Sequence, residues 1–301
     1  MANKKTKVPA IQLKDYHSNT FSDNGMEIRF AVGPEETKQF DTKKLADNFL
    51  VQNLMVSGQL KLVYTHYDRM MIGGVVPVKK TLVLPNHPEL RAEYFLERRE
   101  MGIINVGGKG IITADGKKYQ LDKLSCLYLG KGTKKVSFVS IAAKSPAMFY
   151  ILSAPAHAVY PNTMYSKEQA SPVDLGAAET ANKRTVYKYI HLDGIKSCQL
   201  VMGLTVMAPG SVWNSVPPHT HTRRMEVYFY FDLPAEQRIM HFMGNPVETR
   251  HMVMANNEAV ISPPWSTHFG CGTTNYGFIW GMAGENLVYT DMDPAPVRTL
   301  R

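Results

Sequence analysis

The sequence predicts an all-β protein, a sandwich or barrel architecture repeated in two halves. Short segments rich in β-branched and aromatic residues recur along most of the chain, separated by glycine, aspartate or lysine turns, and a clear helical pattern occurs near the start. The 301 residues, 44% apolar and 20% charged, exclude wholesale disorder and leave room for one large domain or two of average size.

Residues 1–25 are polar, with Lys4, Lys5, Lys7, Asp15 and Asp23 among few apolar positions, and read as a poorly ordered arm. Asp41 followed by Leu45, Phe49 and Leu50 predicts a short helix over 41–50. Strands follow at 60–64, 102–106, 110–113 and 136–139, and Asp115-Gly116 between two apolar runs marks a hairpin. Residues 160–183 are polar, proline-bearing and weakly periodic, which predicts a linker between an N-terminal domain over 26–159 and a C-terminal domain over 184–301. The second half continues with strands at 227–231, 239–243, 251–254, 259–262 and 278–282. A loose repeat relates Arg98-Arg99-Glu100 to Arg223-Arg224-Met225-Glu226, each set ahead of a strand.

No apolar run approaches the roughly 18 residues of a membrane helix, and the basic start lacks the apolar segment of an export signal. Cys126, Cys198 and Cys271 are too few and too widely spaced for a disulfide framework or a thiolate zinc site. The reading is therefore a soluble cytoplasmic protein with no membrane partner. The net charge of +8 is spread along the chain without a basic block, so no nucleic-acid partner is expected, and an anionic small substrate fits the balance. The glycine runs at 107–110 and 130–132 lack phosphate-loop spacing and read as hairpin turns.

The most informative segment runs from Gly210 to Glu226. Side chains alternate along a strand, so His219 and His221 face the same way and can reach one ion. Glu226 opens the next strand with a carboxylate, and His268 supplies a third imidazole after a proline turn. Three neutral imidazoles and a carboxylate suit zinc, iron, nickel or manganese and leave positions open for water or substrate. His241 and His251 lack partners at ligand spacing and read as structural. Counting by two from Glu226 places Arg224 and Tyr228 on the barrel-facing side, with Arg224 as a candidate clamp for a substrate carboxylate and Tyr228 and Trp280 as candidate sugar contacts.

His219-x-His221-x-x-x-x-Glu226, then Pro264-x-x-x-His268 and Asn275, resemble the two motifs of the cupin superfamily, small β-barrels with a metal inside. Eight residues separate Gly210 from His219 where cupins commonly have about five, and Trp265-Ser266 stand where a glycine is common. Longer stretches, among them 94–100, 129–132, 154–157, 218–231 and 278–282, are similar to the 5-keto-4-deoxyuronate isomerase family, also called 4-deoxy-L-threo-5-hexosulose-uronate ketol-isomerases. That resemblance runs from about Met26 to Arg301.

The resemblance implies a bicupin of two jelly-roll β-barrels with short helices, one zinc ion per chain and assembly as a homohexamer. It implies interconversion of 5-dehydro-4-deoxy-D-glucuronate and 3-deoxy-D-glycero-2,5-hexodiulosonate in pectin and uronate breakdown, the substrate being an anionic keto-sugar. If Glu100 matches Glu226, the positions matching His219 and His221 are Glu93 and Phe95, so the metal is expected in the second half only. The alternatives are a metal-dependent cupin oxygenase with the same ligands, and a non-catalytic cupin that binds a sugar acid. The residues name no catalytic base.

Overall fold

Strands with apolar side chains on both faces need a covering layer on each side, and this chain supplies it by stacking sheets. The computed structural model describes residues 20–23 and 26–301. The first half forms a sheet of eight strands with a companion of four, and the second a sheet of seven with a companion of four. A short ribbon pairs His219–Thr220 with Asp293–Pro294. Among the described residues no helix is long and apolar enough to cross a membrane.

In the first half, Ile103, Leu127 and Phe149 of the large sheet share a core with Ile112, Tyr119 and Phe138 of the small one. The Phe138 and Phe149 rings meet at 5.7 Å. The expected hairpin joins Gly110–Ala114 to Lys117–Leu121, with Asp115 at φ 47° and Gly116 at φ 86°, the pair of left-handed residues that matches the strand twist. The Asp115 carboxylate also accepts from the Lys135 backbone N–H at 2.8 Å, which ties the hairpin to the next strand.

The predicted helix spans Thr42–Phe49, capped by Asp41, whose carboxylate accepts from the Lys44 N–H at 2.7 Å. It buries Leu45 and Phe49 and delivers Leu50–Val51 to the edge of the second half's large sheet, against Ala259–Val260. Part of the arm read over 1–25 is ordered, since Thr20–Asp23 pairs with Met26–Arg29, and the rest lies outside the described residues. Segment 160–183 is more structured than its composition indicates. Thr163–Tyr165 joins the first large sheet and Ser171–Leu175 the second, so the chain crosses between halves near the short turn Lys167–Gln169. Every residue of Ser171–Leu175 is exposed, so this edge strand, with Pro172 in it and Val173 and Leu175 as its apolar residues, has no buried face.

The two large sheets pack against each other. Tyr150 and Phe229 stack across the junction with ring centroids 4.3 Å apart. Leu152 pairs with Gly102 in one sheet and Met202 with Gly281 in the other. A Cβ on Gly102 would stand 2.6 Å from Met202 Sδ, and one on Gly281 would overlap Leu152 Cδ1. Each large side chain thus fills the gap over the opposite glycine. Beside this contact the buried Glu100 carboxylate accepts from Tyr128 Oη at 2.8 Å and from the backbone N–H groups of Cys198, Gln199 and Leu200 at 2.7, 2.9 and 2.8 Å. Those three residues lead straight into strand Val201–Met207 of the second half.

The register corrects the expected match between Glu100 and Glu226. Arg99–Asn105 and Arg224–Phe231 occupy equivalent central places in the two large sheets, and their last pairings are Met101 with Leu129 and Glu226 with Ser262. Met101, buried in the first core, is therefore the counterpart of Glu226. One residue earlier, Glu100 points to the opposite face because side chains alternate. Counting back by the same separations puts Tyr94 and Leu96, in place of Glu93 and Phe95, at the positions of the two histidines.

Two stability predictions follow from this junction. Gly281→Val should lower unfolding stability by about 1–3 kcal/mol through overpacking against Leu152. Glu100→Ala strands three backbone N–H groups, that of Leu200 buried and those of Cys198 and Gln199 half-buried, and should cost at least about 2 kcal/mol, with Glu100→Gln less damaging. Urea unfolding of each variant measures both, and stabilities equal to wild type would contradict the packing described.

Candidate metal centre

Strand Arg224–Phe231 serves both layers. Phe229 stacks on Tyr150 of the first half, while Tyr230 points into the second barrel and bonds His241 Nδ1 at 2.8 Å. Glu226 and Tyr228 share the inward face with Tyr230. Strand Thr267–Gly272 of the small sheet brings His268 across the barrel, and the ribbon at His219–Thr220 brings His219 and then His221 over its end.

These residues converge. One ligand atom from each of His219, His221, Glu226 and His268 lies within 4.8 Å of the others, and all but the half-buried His219 are buried. Glu226 Oε2 is 2.8 Å from His221 Nε2 and 2.7 Å from His268 Nε2, and His268 Nε2 is 3.1 Å from His219 Nε2. Nitrogen lone pairs aimed at one another and at a carboxylate oxygen repel unless a proton or a cation stands between them. A divalent metal lets all four groups aim at one point, so the set fits such an ion.

The electrostatics agree. Burial, reinforced by His268, pushes the His219 imidazole down to about 3, so the ring is neutral, as a ligand must be. Burial alone would raise the Glu226 carboxyl, but in the metal-free chain the charge and hydrogen bonds of His268 and His221 hold it far below the usual range, the role an ion's positive charge would take over. His221 Nδ1 sits 2.7 Å from the Asp291 carbonyl, a bond in which Nδ1 is the N–H donor, and this turns Nε2 toward Glu226 as the nitrogen that would face an ion. Asp291 is held in turn by Arg223 Nε at 2.7 Å and Asn286 Nδ2 at 2.6 Å.

Arg224 does not stand where a substrate clamp would. It is fully buried, donating from Nη1 to the Val288 carbonyl at 2.7 Å and from Nη2 to the Asp291 carbonyl at 2.8 Å. The C-terminal segment folds over the start of the strand and takes up the guanidinium, a contact that strand alternation alone does not reveal. Arg224 braces the loop that orients His221.

The centre opens on a cavity of about 240 Å³ lined by His219, His221, Glu226, Tyr228 and Trp280 among others. Tyr228 Oη lies 2.6 Å from Ser215 Oγ, and burial raises its phenol well above the ordinary value, so it stays protonated. Trp280 Nε1 donates to Thr205 Oγ1 at 3.2 Å, and its ring occupies the space over Gly203. Sequence reasoning missed Ser215 and Arg184, which also line the cavity. Neither belongs to a motif, and Arg184 begins a strand just beyond the stretch read as linker. His241 is fully buried and bonded to Tyr230, and His251 is exposed on strand Glu248–Met254.

Fold and site together define a double-barrel cupin with one candidate metal centre, in its second barrel, among the described residues. The chain belongs to the KduI/IolB family, whose model matches residues 49–297. A protein of Formosa agariphila is 54% identical over 275 residues, covering 91% of this chain and 98% of its own length, and is named a 4-deoxy-L-threo-5-hexosulose-uronate ketol-isomerase. One from Caldicellulosiruptor bescii bears the same name at 50% identity, covering 92% of this chain and all of its own. Among solved structures, an IolB-like protein of Salmonella typhimurium shares the fold at TM-score 0.65 and 16% identity, covering 80% of this chain and 95% of its own. A mutant of Bacillus subtilis oxalate decarboxylase does so at 0.53 and 10%, covering 80% of this chain and 78% of its own.

His219→Ala and His268→Ala should each lose bound metal by at least tenfold while keeping the β-rich circular-dichroism spectrum of the wild type, as measured by elemental analysis after dialysis. Undiminished metal content would contradict the ligand set. Acid should destabilise the metal-free protein. His219 and His241 are both pushed down to about 3 by burial, against an ordinary 6.5, so the unfolded chain binds their protons first and stability falls as pH drops from 6.5 toward 3. Glu226, held low in the fold, adds a loss of the same sign below its ordinary 4.5. A melting temperature of the metal-free protein that is flat from pH 7 to 4 would contradict this.

Proposed function

We propose that the chain is a metal-dependent aldose–ketose isomerase that interconverts 5-dehydro-4-deoxy-D-glucuronate and 3-deoxy-D-glycero-2,5-hexodiulosonate in the cytoplasmic breakdown of pectin and related uronates. The observation that carries this reading is the coincidence of two facts. Relatives about half identical over their full length bear the ketol-isomerase name, and the three imidazoles and one carboxylate lie at the wall of a cavity of a size for a small sugar. The protein assembles as a homohexamer with one zinc per chain, its N-terminal cupin domain over 26–159 and its metal-binding cupin domain over 184–301.

The isomerisation moves one hydrogen from C2 to C1 of the sugar and one proton from the C2 hydroxyl to the C1 oxygen. His219, His221, Glu226 and His268 would hold a divalent ion, which would supply Lewis acidity toward the reacting carbonyl. The chain's own residues do the rest. Glu226 and the three imidazoles, set on separate strands and turns, hold the site's donor atoms in fixed places. The Asp291 carbonyl fixes the His221 tautomer. Tyr228, kept protonated and oriented by Ser215, offers a hydroxyl hydrogen bond to a sugar oxygen. Trp280, anchored through Thr205, forms an apolar wall that excludes water from the carbon that gives up its hydrogen.

Incubating wild type and His268→Ala with enzymatically generated 5-dehydro-4-deoxy-D-glucuronate, followed by NMR, tests the proposal. Conversion by the wild type and at least a hundredfold loss in the variant, in step with its metal, is the expected result. No conversion by folded, metal-loaded wild type would overturn it, and oxygen uptake in that sample would indicate an oxygenase.

A further inference from the structure

The cavity holds one permanent cation that neither the sequence motifs nor the metal set accounts for. Arg184 is the single lysine or arginine among the residues lining it. It opens strand Arg184–Ile190, paired with Met207 on one side and Leu175 on the other, and its place three strands across the sheet from Glu226 puts it at the far end of the same cavity. The guanidinium is half-buried, Nη1 donates to the Asn182 carbonyl at 2.8 Å, and among the described residues no other acceptor and no carboxylate engages it. Its charge is desolvated by burial, with the Tyr289, Tyr228 and Tyr276 rings as its electrostatic neighbours. A half-buried arginine with free N–H groups facing a cavity is a strong receptor for a carboxylate, because the planar fork donates two parallel bonds to it.

We propose that Arg184 binds the substrate's terminal carboxylate and so selects acidic keto-sugars and fixes their direction, with the reacting carbonyl end at His219, His221 and Glu226. The inference rests on the isomerase reading and deepens it. It replaces Arg224, which does not line the cavity and whose two terminal nitrogens donate to the Val288 and Asp291 carbonyls, as the residue that reads the acid group. The two ends of the cavity then have separate tasks. The cation at the Arg184 end sets affinity, and the imidazole–carboxylate end sets chemistry. An extended six-carbon acid with its carboxylate at one terminus and its carbonyl at the other matches that division.

The test compares wild type, Arg184→Met, Arg184→Lys and Lys188→Met. Lys188 stands over the Tyr289 ring at 5.5 Å without lining the cavity, so it controls for general attraction of anions. With 5-dehydro-4-deoxy-D-glucuronate, Arg184→Met should raise KM by about 10- to 100-fold with kcat changed less than about threefold, at unaltered metal content and melting temperature. Arg184→Lys should recover part of the loss, and Lys188→Met should behave as wild type. The neutral analogue bearing a hydroxymethyl group in place of the carboxylate should be used equally by wild type and Arg184→Met. An unchanged KM for the acid in folded, metal-loaded Arg184→Met, or equal losses for acid and neutral sugar, would overturn the proposal. Calorimetric titration with D-glucuronate separates the two readings. If wild type binds it and Arg184→Met does not, the carboxylate site stands even where no isomerisation is seen, whereas equal binding by both refutes it.

Discussion

The double coverage of strand Arg224–Phe231 is the constraint on which the rest of this structure depends. One face of the strand must close the junction between the halves through Phe229, and the other must present Glu226, Tyr228 and Tyr230 inside the second barrel. A register slip of one residue would move the carboxylate into the junction and the apolar side chains into the barrel. The interlock of Leu152 over Gly281 and Met202 over Gly102 holds that register from the outside. The geometry of the candidate ligand set is thus secured by packing that never touches the cavity.

The two halves use one topology for different ends. Met101 stands where Glu226 stands in the other sheet, so the first barrel closes on an apolar core and, among the described residues, carries no ligand group. Its own carboxylate, Glu100, faces outward and gathers three backbone N–H groups of the segment that feeds strand Val201–Met207. A charged acceptor buried among fixed donors resists displacement, because any shift leaves the donors unpaired. The first half therefore serves as a rigid base for the second.

Much of this was legible in the sequence where a local pattern carried it. The Asp115-Gly116 turn, the Asp41 cap and the His219, His221, Glu226 spacing depend on neighbouring residues, and the structure brings His268 to the other three. Strands Met71–Val75, Phe149–Pro155 and Val201–Met207 were not legible, because they are covered on both faces and show no alternation. The exposed edge strand Ser171–Leu175 was hidden for the opposite reason. Arg224 was misplaced because the segment that takes up its guanidinium lies more than sixty residues away in sequence. Arg184 was missed because its importance comes from the cavity it faces and not from any neighbour in the chain.

The proposed function requires that the three imidazoles and Glu226 hold a single ion on which turnover of the keto-uronate depends. Its most direct test is to strip the protein of metal, add zinc back in fractions of an equivalent, and follow isomerisation of 5-dehydro-4-deoxy-D-glucuronate at each step. No activity is expected without metal, then a linear rise that breaks at one zinc per chain. Full activity in the metal-free protein, or a folded, zinc-saturated protein that leaves the substrate unchanged, would contradict it.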